Sequence, residues 1–480
     1  MTGTVQREMC SVSFDSLTLK LWIEQNGEFL KGARIQKIQQ PTRRDFVLFV
    51  RNKGETKKLF ININPQFYHV CFMDKTGEKK RMIQIPDKPP MFCMLLRKYL
   101  ENAVISHVSQ PEYERILEIY IETFNEVAQK IYLCLAVELM GKYSNVVLYN
   151  YDTNIILGCA HNVGSEKSRE RELAGTLPYI YPPNPPVDWF ASKNSFANSK
   201  TDDINKLIDD YYSEKIFEHK FSTLRANLEQ IVLKRLKKYK NSYDKMTDKA
   251  DSEKDCDNYR ILGDLIMANL YNNNDYSNFI KVYDWSSGKD VEIALDETKT
   301  LKENANEFYK RYNKGKKSLT KIADLLEELQ GNITYCEQVL YSIDIAQSIS
   351  ELLDIQDEIC PQKEKSVKKQ AIFPEELEID GYRIFVGKNN RQNDYIVSKL
   401  SKDDDYWFHT KDCAGSHVLL KCPNPTDSLI FECAKLAKQY SKSSQSAKSA
   451  VIYTKRKNLK KPPKANLGYV IYKGEKEILV

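Results

Sequence analysis

The chain has 480 residues, 41% hydrophobic and 29% charged, with a formal net charge of +6. That length admits two to four domains and enough apolar side chain to fill their cores, beneath a highly charged surface. A net charge this small excludes any whole-chain electrostatic case for a nucleic-acid partner, so charge has to be read locally.

Over the first ~180 residues the hydrophobic period switches between strand and helix. ARIQKIQQ (33–40), RDFVLFVRN (44–52) and KKLFININP (57–65) predict strands, broken at Pro41 and near Gly54. The prolines opening PPMFCMLLRKYLEN (89–102) predict a helix start. VISHVSQ and RILEIYIE predict further strands, QKIYLCLAVEL an apolar segment, and SNVVLYN with NIILGCAH a hairpin. LPYIYPPNPPVDWF (177–190) reads as a domain exit and ASKNSFANSKTDD as a linker.

From Asp202 apolar residues recur every three or four positions, at Phe217, Phe221, Leu224, Leu228, Val232, Leu236, Tyr239, Tyr243 and Met246. This is the stripe of an amphipathic helix. TDKADSEKDCDNY weakens it, NYRILGDLIMANLYNN resumes a short helix, and IKVYDW with VEIALD predicts a small strand insert. A second long helix begins near Leu301, with a heptad seam at Ile322, Leu326, Leu329, Ile333, Cys336, Leu340 and Ile343. Two long helices split by a compact insert predict an antiparallel coiled-coil arm. A globular bundle is the alternative, but few other apolar faces exist to cover such helices. CPQKEKSVKKQ (360–370) is a charged linker. Beyond it YRIFVG predicts a strand, DSLIFECAKLAKQYSKSS a helix, and SAVIYT and GYVIY strands.

No apolar run approaches the ~18 residues of a membrane span. The first ten residues, MTGTVQREMC, lack the basic-then-apolar layout of a signal peptide, and a cytoplasmic location is expected. The eleven cysteines include no C-x-x-C pair, and Cys413, Cys422 and Cys433 are spaced too widely for a usual zinc site. Reduced, mostly buried thiols are expected, with no metal or other cofactor.

Between Ala434 and Tyr472 stand ten Lys or Arg and no Asp or Glu: Lys435, Lys438, Lys442, Lys448, Lys455, Arg456, Lys457, Lys460, Lys461 and Lys464. Pro462 and Pro463 predict that the densest part, YTKRKNLKKPPK, is an extended loop between strands. Such a run releases counterions from phosphates, which favours nucleic acid over a merely solvated face. DYWFHTKDCAGSHVLL (405–420) holds two of the six histidines. A Ser416–His417 nucleophile and base is disfavoured: the chain has no G-x-S-x-G elbow, and strand neighbours point to opposite sides. A packed turn is the favoured reading. Trp407 and His409, two apart, share a strand face that can stack bases or fill a core. GKNNRQNDY (387–395) offers amides that bond bases or backbone, or build turns. Nearer the N-terminus, Glu114 and Arg115 are adjacent, and AVELMGKYSN (136–145) ends in a turn that lacks the first glycine of a phosphate loop. Taken alone, Glu138 is ambiguous between a surface acid and a functional one.

Together these stretches resemble the NFACT family. VELMGKYSNVVLYN is similar to the signature of its N-terminal domain. GKNNRQNDY, DYWFHTKDCAGSHVLL and YTKRKNLKKPPKANLGYVIY are similar to that of its C-terminal RNA-binding domain. YRILGDLIMANLYN and NANEFYKRYNKGKKS resemble the hinges of its coiled coil, and the matches run in family order from Phe14 to Val480.

The resemblance implies a multidomain α+β chain: a glycosylase-like α/β N-terminal domain (1–190), a linker (191–216), an antiparallel coiled-coil arm with a compact insert (217–360) and a C-terminal α/β RNA-binding domain (361–480). It implies a ribosome-associated quality-control factor. Such a factor binds large ribosomal subunits obstructed by peptidyl-tRNA and recruits a charged tRNA, alanyl in bacteria. It adds a C-terminal tail that marks the stalled chain for proteolysis. The ribosome forms the peptide bonds, so no side-chain catalysis is expected, and the factor works as a monomer on the ribosome.

By matching position, tRNA handling is carried to Asp15, Glu114, Arg115, Glu138, Leu139 and Met140. Contact with rRNA is expected at Lys388, Arg391, Trp407, His409, Ser416, His417, Lys455, Arg456, Lys457, Lys460, Lys461 and Lys464. Two departures stand out. Glu114 falls where many members have Asp, which bears on tRNA choice. The helix-hairpin-helix module that most relatives insert after the N-terminal domain looks missing or reduced between Phe190 and Ile204. Base excision is disfavoured, because the chain starts Met-Thr-Gly without the proline nucleophile and lacks the zinc cysteines. Two alternatives remain: an RNA-binding module without tailing activity and, less favoured for want of a secretion signal, a fibronectin-binding surface adhesin.

Overall fold

The computed structural model describes residues 12–125, 127–166, 170–183, 195–199, 201–272, 276–360, 373–463 and 465–480. The chain divides into two compact units, one ending at Lys220 and one running from Phe221 to Val480.

In the first unit the elements are α1 (Ser16–Leu30), β1 (Arg34–Gln39), β2 (Asp45–Asn52), β3 (Glu55–Asn62), β4 (His69–Met73), α2 (Lys75–Arg81), α3 (Met91–Leu100), β5 (Val104–Ser109), β6 (Ile116–Phe124), β7 (Lys130–Glu138), β8 (Asn145–Asn150) and β9 (Ile156–Cys159). The strands form one nine-stranded sheet in the order β4-β3-β2-β1-β5-β6-β7-β8-β9. Every neighbouring pair is antiparallel.

Around β7 the sheet is buried on both faces, which explains the unbroken apolar run of that strand. Leu133, Leu135 and Val137 join the main core with Leu19 and Trp22 of α1 and Leu96 of α3. Cys134 and Ala136 face a second cluster with Ile116, Tyr149, Leu173 and Tyr179. The stretch read as a domain exit therefore begins as a cover for this second face. Helix α1 has a strand-like start, alternating Leu17, Leu19 and Leu21 with polar residues. The Asp15 cap decides for helix: its side chain accepts from Thr18 N–H at 2.9 Å.

Helix α4 (Ile204–Glu253) starts inside the stretch read as a linker. Its first polar residues bind the N-terminal sheet instead of solvent. Asn205 accepts from Trp22 Nε1 at 3.0 Å and from Phe72 N–H at 2.6 Å. Asp209 pairs with the buried Arg81 at 2.5 Å.

The second unit continues with α5 (Cys256–Ala268), β10 (Phe279–Asp284), β11 (Lys289–Ala294), α6 (Leu301–Ile345) and α7 (Ile349–Ile359). Strands β10 and β11 form the expected hairpin insert, packed through Ile280, Val282 and Ile293 on Ile266 and Leu301. Along the heptad seam Ile322, Leu329, Ile333, Cys336 and Ile343 are buried, while Leu326 and Leu340 are half-buried. At the root of the arm Leu228 and Val232 of α4 meet Cys336, Val339 and Ile343 of α6. Helix α7, absent from the sequence reading, closes that cluster with Leu352, Ile355 and Ile359. Its stretch is short, but Ser348 and Glu351 form a full capping box.

The remaining elements are β12 (Glu375–Ile379), β13 (Tyr382–Val386), α8 (Asn390–Tyr395), β14 (Tyr406–Thr410), β15 (Val418–Leu420), α9 (Asp427–Gln439), β16 (Ala450–Lys455), β17 (Leu459–Lys460), β18 (Ile471–Tyr472) and β19 (Lys476–Leu479). They build a six-stranded antiparallel sheet, β12-β13-β15-β14-β16-β19, and a separate β17–β18 pair. Helix α9 covers one face through Leu429, Cys433 and Ala437. On the other face Trp407, Leu419 and Ile452 pack with Ile396, Val397 and Leu459. The strand expected in GYVIY shrinks to Ile471–Tyr472, and β19 takes the place beside β16. No described helix is long and apolar enough to cross a membrane, and every described cysteine is free.

Candidate nucleic-acid interfaces

Two connections lie side by side at one end of the N-terminal sheet, 110–115 and 139–144, and Tyr68 of the 63–68 connection reaches them. Leu139 N–H donates to Arg115 O at 2.8 Å, and Ile116 pairs with Glu138. The start of α1 is tied in by Ser16 Oγ, which donates to Glu114 O at 3.1 Å. Gln110 Nε2 donates to both Ser16 O (3.0 Å) and Glu114 O (2.6 Å). Arg115 Nη1 donates to Tyr68 OH at 3.1 Å. In the following turn Gly141 adopts φ +62°, a left-handed conformation that suits glycine. Ser144 Oγ accepts from Met140 N–H at 2.9 Å. Asn145 bonds the His161 backbone in both directions, at 2.8 and 3.0 Å. These bonds fix the turn and leave Lys142 and Tyr143 exposed, the ammonium 4.8 Å from the ring centroid.

The fold thus gathers all six residues expected to handle tRNA, but it does not turn them all outward. Asp15 is buried, and its Oδ1 accepts from Thr18 N–H, Thr18 Oγ1 (2.6 Å) and Ser195 Oγ (2.8 Å). Glu138 is fully buried. Arg171 grips it with two bonds of 2.7 and 2.6 Å, and Tyr179 OH donates to it at 3.0 Å. Leu139 belongs to the main core. The expectation of direct tRNA contact is corrected for these three: their strand-end and cap positions aim them into the protein. Glu114 is also buried, and its Oε1 has no hydrogen-bond partner among the described residues. Burial pushes its carboxyl pKa up; Arg115 opposes that shift and Glu138 adds to it. Arg115 and Met140 are half-buried and accessible.

Sequence reading missed Glu118, buried on the same face as Glu138. It accepts from Ser109 Oγ and Tyr120 OH, both at 2.9 Å, and from Tyr181 OH. The signal was present in RILEIYIE, where period two sets Glu118 between Ile116 and Tyr120.

In the C-terminal domain Trp407, Ser416 and His417 are buried. The Trp407 ring stacks on His409 (centroids 5.7 Å apart), and His417 meets both rings edge-on at 5.1 and 5.4 Å. Burial pushes the pKa of His409 below its ordinary value and that of His417 well below it, which favours the neutral imidazole in both. Strand β14 lies inside the sheet, and the face bearing Trp407 is covered, so base stacking on Trp407 and RNA contact by Ser416 and His417 are corrected. His409 is half-buried at the margin.

Gly415, in the same loop, cannot carry a side chain. A Cβ there would stand 2.7 Å from Thr410 Oγ1 and 2.8 Å from Ser441 Cβ. Its backbone is held by Gln338 of α6: Gly415 N–H donates to Oε1 at 2.9 Å, and Nε2 donates to Gly415 O at 2.6 Å.

The amides of GKNNRQNDY turn inward. Asn389 caps α8, accepting from Gln392 N–H at 2.9 Å. Asn390 Nδ2 donates to Glu358 at 3.0 Å, and Asn393 accepts from His417 N–H at 3.0 Å.

Three cations of the basic run, Lys455, Lys457 and Lys461, are matched by acids from elsewhere in the fold, as is Lys388 upstream of it. Lys388 pairs with Glu375 at 3.1 Å, Lys455 with Asp404 at 3.2 Å, and Lys461 with Asp394. Arg456 donates to Val397 O (2.8 Å), Ser401 Oγ (3.1 Å) and Leu459 O (3.2 Å). Arg391 is half-buried in the field of Asp354 and Glu358. Lys457 is exposed, with Asp404 3.9 Å away. Lys460 is exposed and has no ion-pair partner among the described residues. Lys464 lies outside the described residues. The densest part of the run is a strand end, a short helical turn and β17, instead of one extended loop.

Two sheet domains flanking a helical arm, the second with exposed lysines at its rim, correspond to one known class. The chain matches the NFACT N-terminal and middle domains over residues 15–192 and 186–372. It matches the NFACT protein RNA binding domain over 369–476. The chain belongs to the NFACT family. It is similar to the Rqc2 homolog RqcH of Bacillus subtilis (strain 168), 27% identical over 565 aligned positions that cover 98% of each chain. It is equally similar to the Rqc2 homolog RqcH of Streptococcus pneumoniae serotype 2, 27% identical over 546 positions and 98% of each chain. Among solved structures it is similar to the C-terminal part of the fibronectin/fibrinogen-binding protein from Streptococcus suis, with 27% identity, 54% of this chain, 94% of that chain and a TM-score of 0.44.

Proposed function

We propose that this chain is a ribosome-associated quality-control factor. It binds large ribosomal subunits obstructed by peptidyl-tRNA, recruits a charged tRNA, alanyl in the first instance, and promotes C-terminal tailing of the stalled chain. The observation that carries this reading is end-to-end likeness to the Rqc2 homologs, 98% of both chains, in a chain with the family's RNA-binding domain. Arg115 meets the tRNA, its guanidinium permanently charged and able to grip a phosphate or a base edge. Lys457 and Lys460 meet rRNA. Peptide-bond formation belongs to the ribosome, and the chain contributes selection and positioning, not side-chain catalysis.

A second reading, an RNA-binding factor that no longer tails, draws on two observations. Glu114 is buried beneath the site, and alignments longer than this 480-residue chain mean that relatives carry segments it lacks. The test is to recover the tagged protein from cells and sequence the co-purifying RNA. Tailing predicts large-subunit rRNA together with one enriched tRNA species. Large-subunit rRNA alone selects the second reading, and neither RNA rejects both.

A further inference from the structure

Among the large side chains left in solvent, two tyrosines stand at the end of the N-terminal sheet. Tyr113 is 54% exposed and Tyr143 66%. Tyr113 directly precedes Glu114 and Arg115 and sits at φ +64°, a backbone conformation that bulky residues rarely adopt and that a fold must hold in place. Tyr143 projects from the turn fixed by Gly141 and Ser144, with Lys142 Nζ over its ring. The two connections are tied by the Leu139–Arg115 backbone bond. Tyr68 steadies the Arg115 guanidinium, accepting from Nη1 through its hydroxyl at 3.1 Å. Close by, Glu114 is buried with Oε1 unpartnered among the described residues.

Ring faces stack on any exposed base, cations meet phosphates, and a carboxylate accepts from an exocyclic amine. These are the components of a site for unpaired nucleotides. A paired helix would not need the rings, because its bases are already stacked on one another. We propose that Tyr113 and Tyr143 stack on unpaired bases of RNA held at Arg115, with Lys142 supplying a phosphate contact. The proposal rests on the tRNA reading above, since that reading brings RNA to this sheet end.

The test uses the full-length protein with two probes, bulk deacylated tRNA and a fully paired RNA duplex. Tyr113→Leu and Tyr143→Leu are expected to weaken tRNA binding roughly ten-fold each and to leave duplex binding unchanged. The double Tyr→Phe variant keeps both rings and is expected to bind as wild type. Tyr113→Asn supplies a ring-free replacement that tolerates the left-handed backbone of that residue, and Tyr143→Asn a second ring-free replacement, should a leucine variant unfold early. Arg115→Ala is expected to weaken tRNA binding and to lower its salt slope by about one. Wild-type tRNA affinity in the ring-free variants, with Arg115→Ala weakened, overturns the stacking sites and leaves the tRNA reading intact. Wild-type affinity in all of them overturns both. Equal losses for tRNA and duplex overturn the preference for unpaired bases.

Discussion

The end of the N-terminal sheet and the C-terminal basic run reverse each other. The first collects residues from Asp15 to Met140, scattered along the chain, around one backbone junction. The second begins as an acid-free run of ten cations and is divided by folding, because Asp394 and Asp404 arrive from other elements. Proximity in sequence is thus a poor guide to free charge. What a cation offers a ligand depends on the acids that tertiary structure brings beside it.

The sharpest way to break this contrast is at Glu138. If it is a support rather than a contact, Glu138→Ala removes both carboxylate bonds from the Arg171 guanidinium, and about 3–5 kcal/mol of stability is lost. Urea unfolding of the variant checks this; a loss near zero would mean that Glu138 points outward. A smaller effect is expected in the C-terminal domain, where Gly415→Ala forces a methyl against Thr410 and Ser441 and costs about 1–3 kcal/mol, read as a lowered thermal midpoint.

Acid separates the two histidine readings. His409 and His417 have folded pKa values below the ordinary 6.5, so the unfolded chain binds more protons as pH falls. Their contribution to stability is complete above 6.5 and is lost progressively below it. Protection factors of β14 and β15 amides, corrected for the intrinsic slowing of exchange in acid, should fall on acidification through that range. Unchanged protection would mean that the imidazoles are solvated.

The smallest effects belong to the surface cations. Lys460→Ala and Lys461→Ala should each change stability by only about 0–1 kcal/mol. In RNA binding they should differ: Lys460→Ala lowers the salt slope by about one, and Lys461→Ala by less, since Asp394 already holds that ammonium. Equal slopes in the two variants would mean that internal pairing leaves a lysine as available as an unpaired one.

Much of the fold was legible because strong periods were at work. Most strands of the N-terminal sheet, both long helices and the hairpin insert follow from alternation, turn residues and the heptad seam, while β4 went unread and β7 was read only as an apolar segment. Helix α1 was hidden by its strand-like opening, which a single cap at Asp15 overrides. The root of α4 was hidden because Asn205 and Asp209 look like linker residues until their partners, Phe72, Trp22 and Arg81, are known. For the site, residue positions were legible through family resemblance, but exposure was not. Period two places Trp407 and His409 on one face without saying that Ile396, Val397 and Leu459 cover the Trp407 end of it. Tyr113 carries no sequence signal beyond being aromatic beside charged neighbours, and Tyr143 none beyond its place in VELMGKYSNVVLYN. Their significance comes from a backbone angle and from exposure.

The bond between Gln338 and the Gly415 backbone has a mechanical consequence. Gln338 sits 37 positions along α6 from Leu301, roughly 55 Å of helix at about 1.5 Å per residue. Two hydrogen bonds to a loop that has no room for a side chain make that junction a fulcrum. A load applied near Leu301 would be felt as torque on the strands β14 and β15 that the loop joins. The arm and the RNA-binding sheet would then report strain to one another.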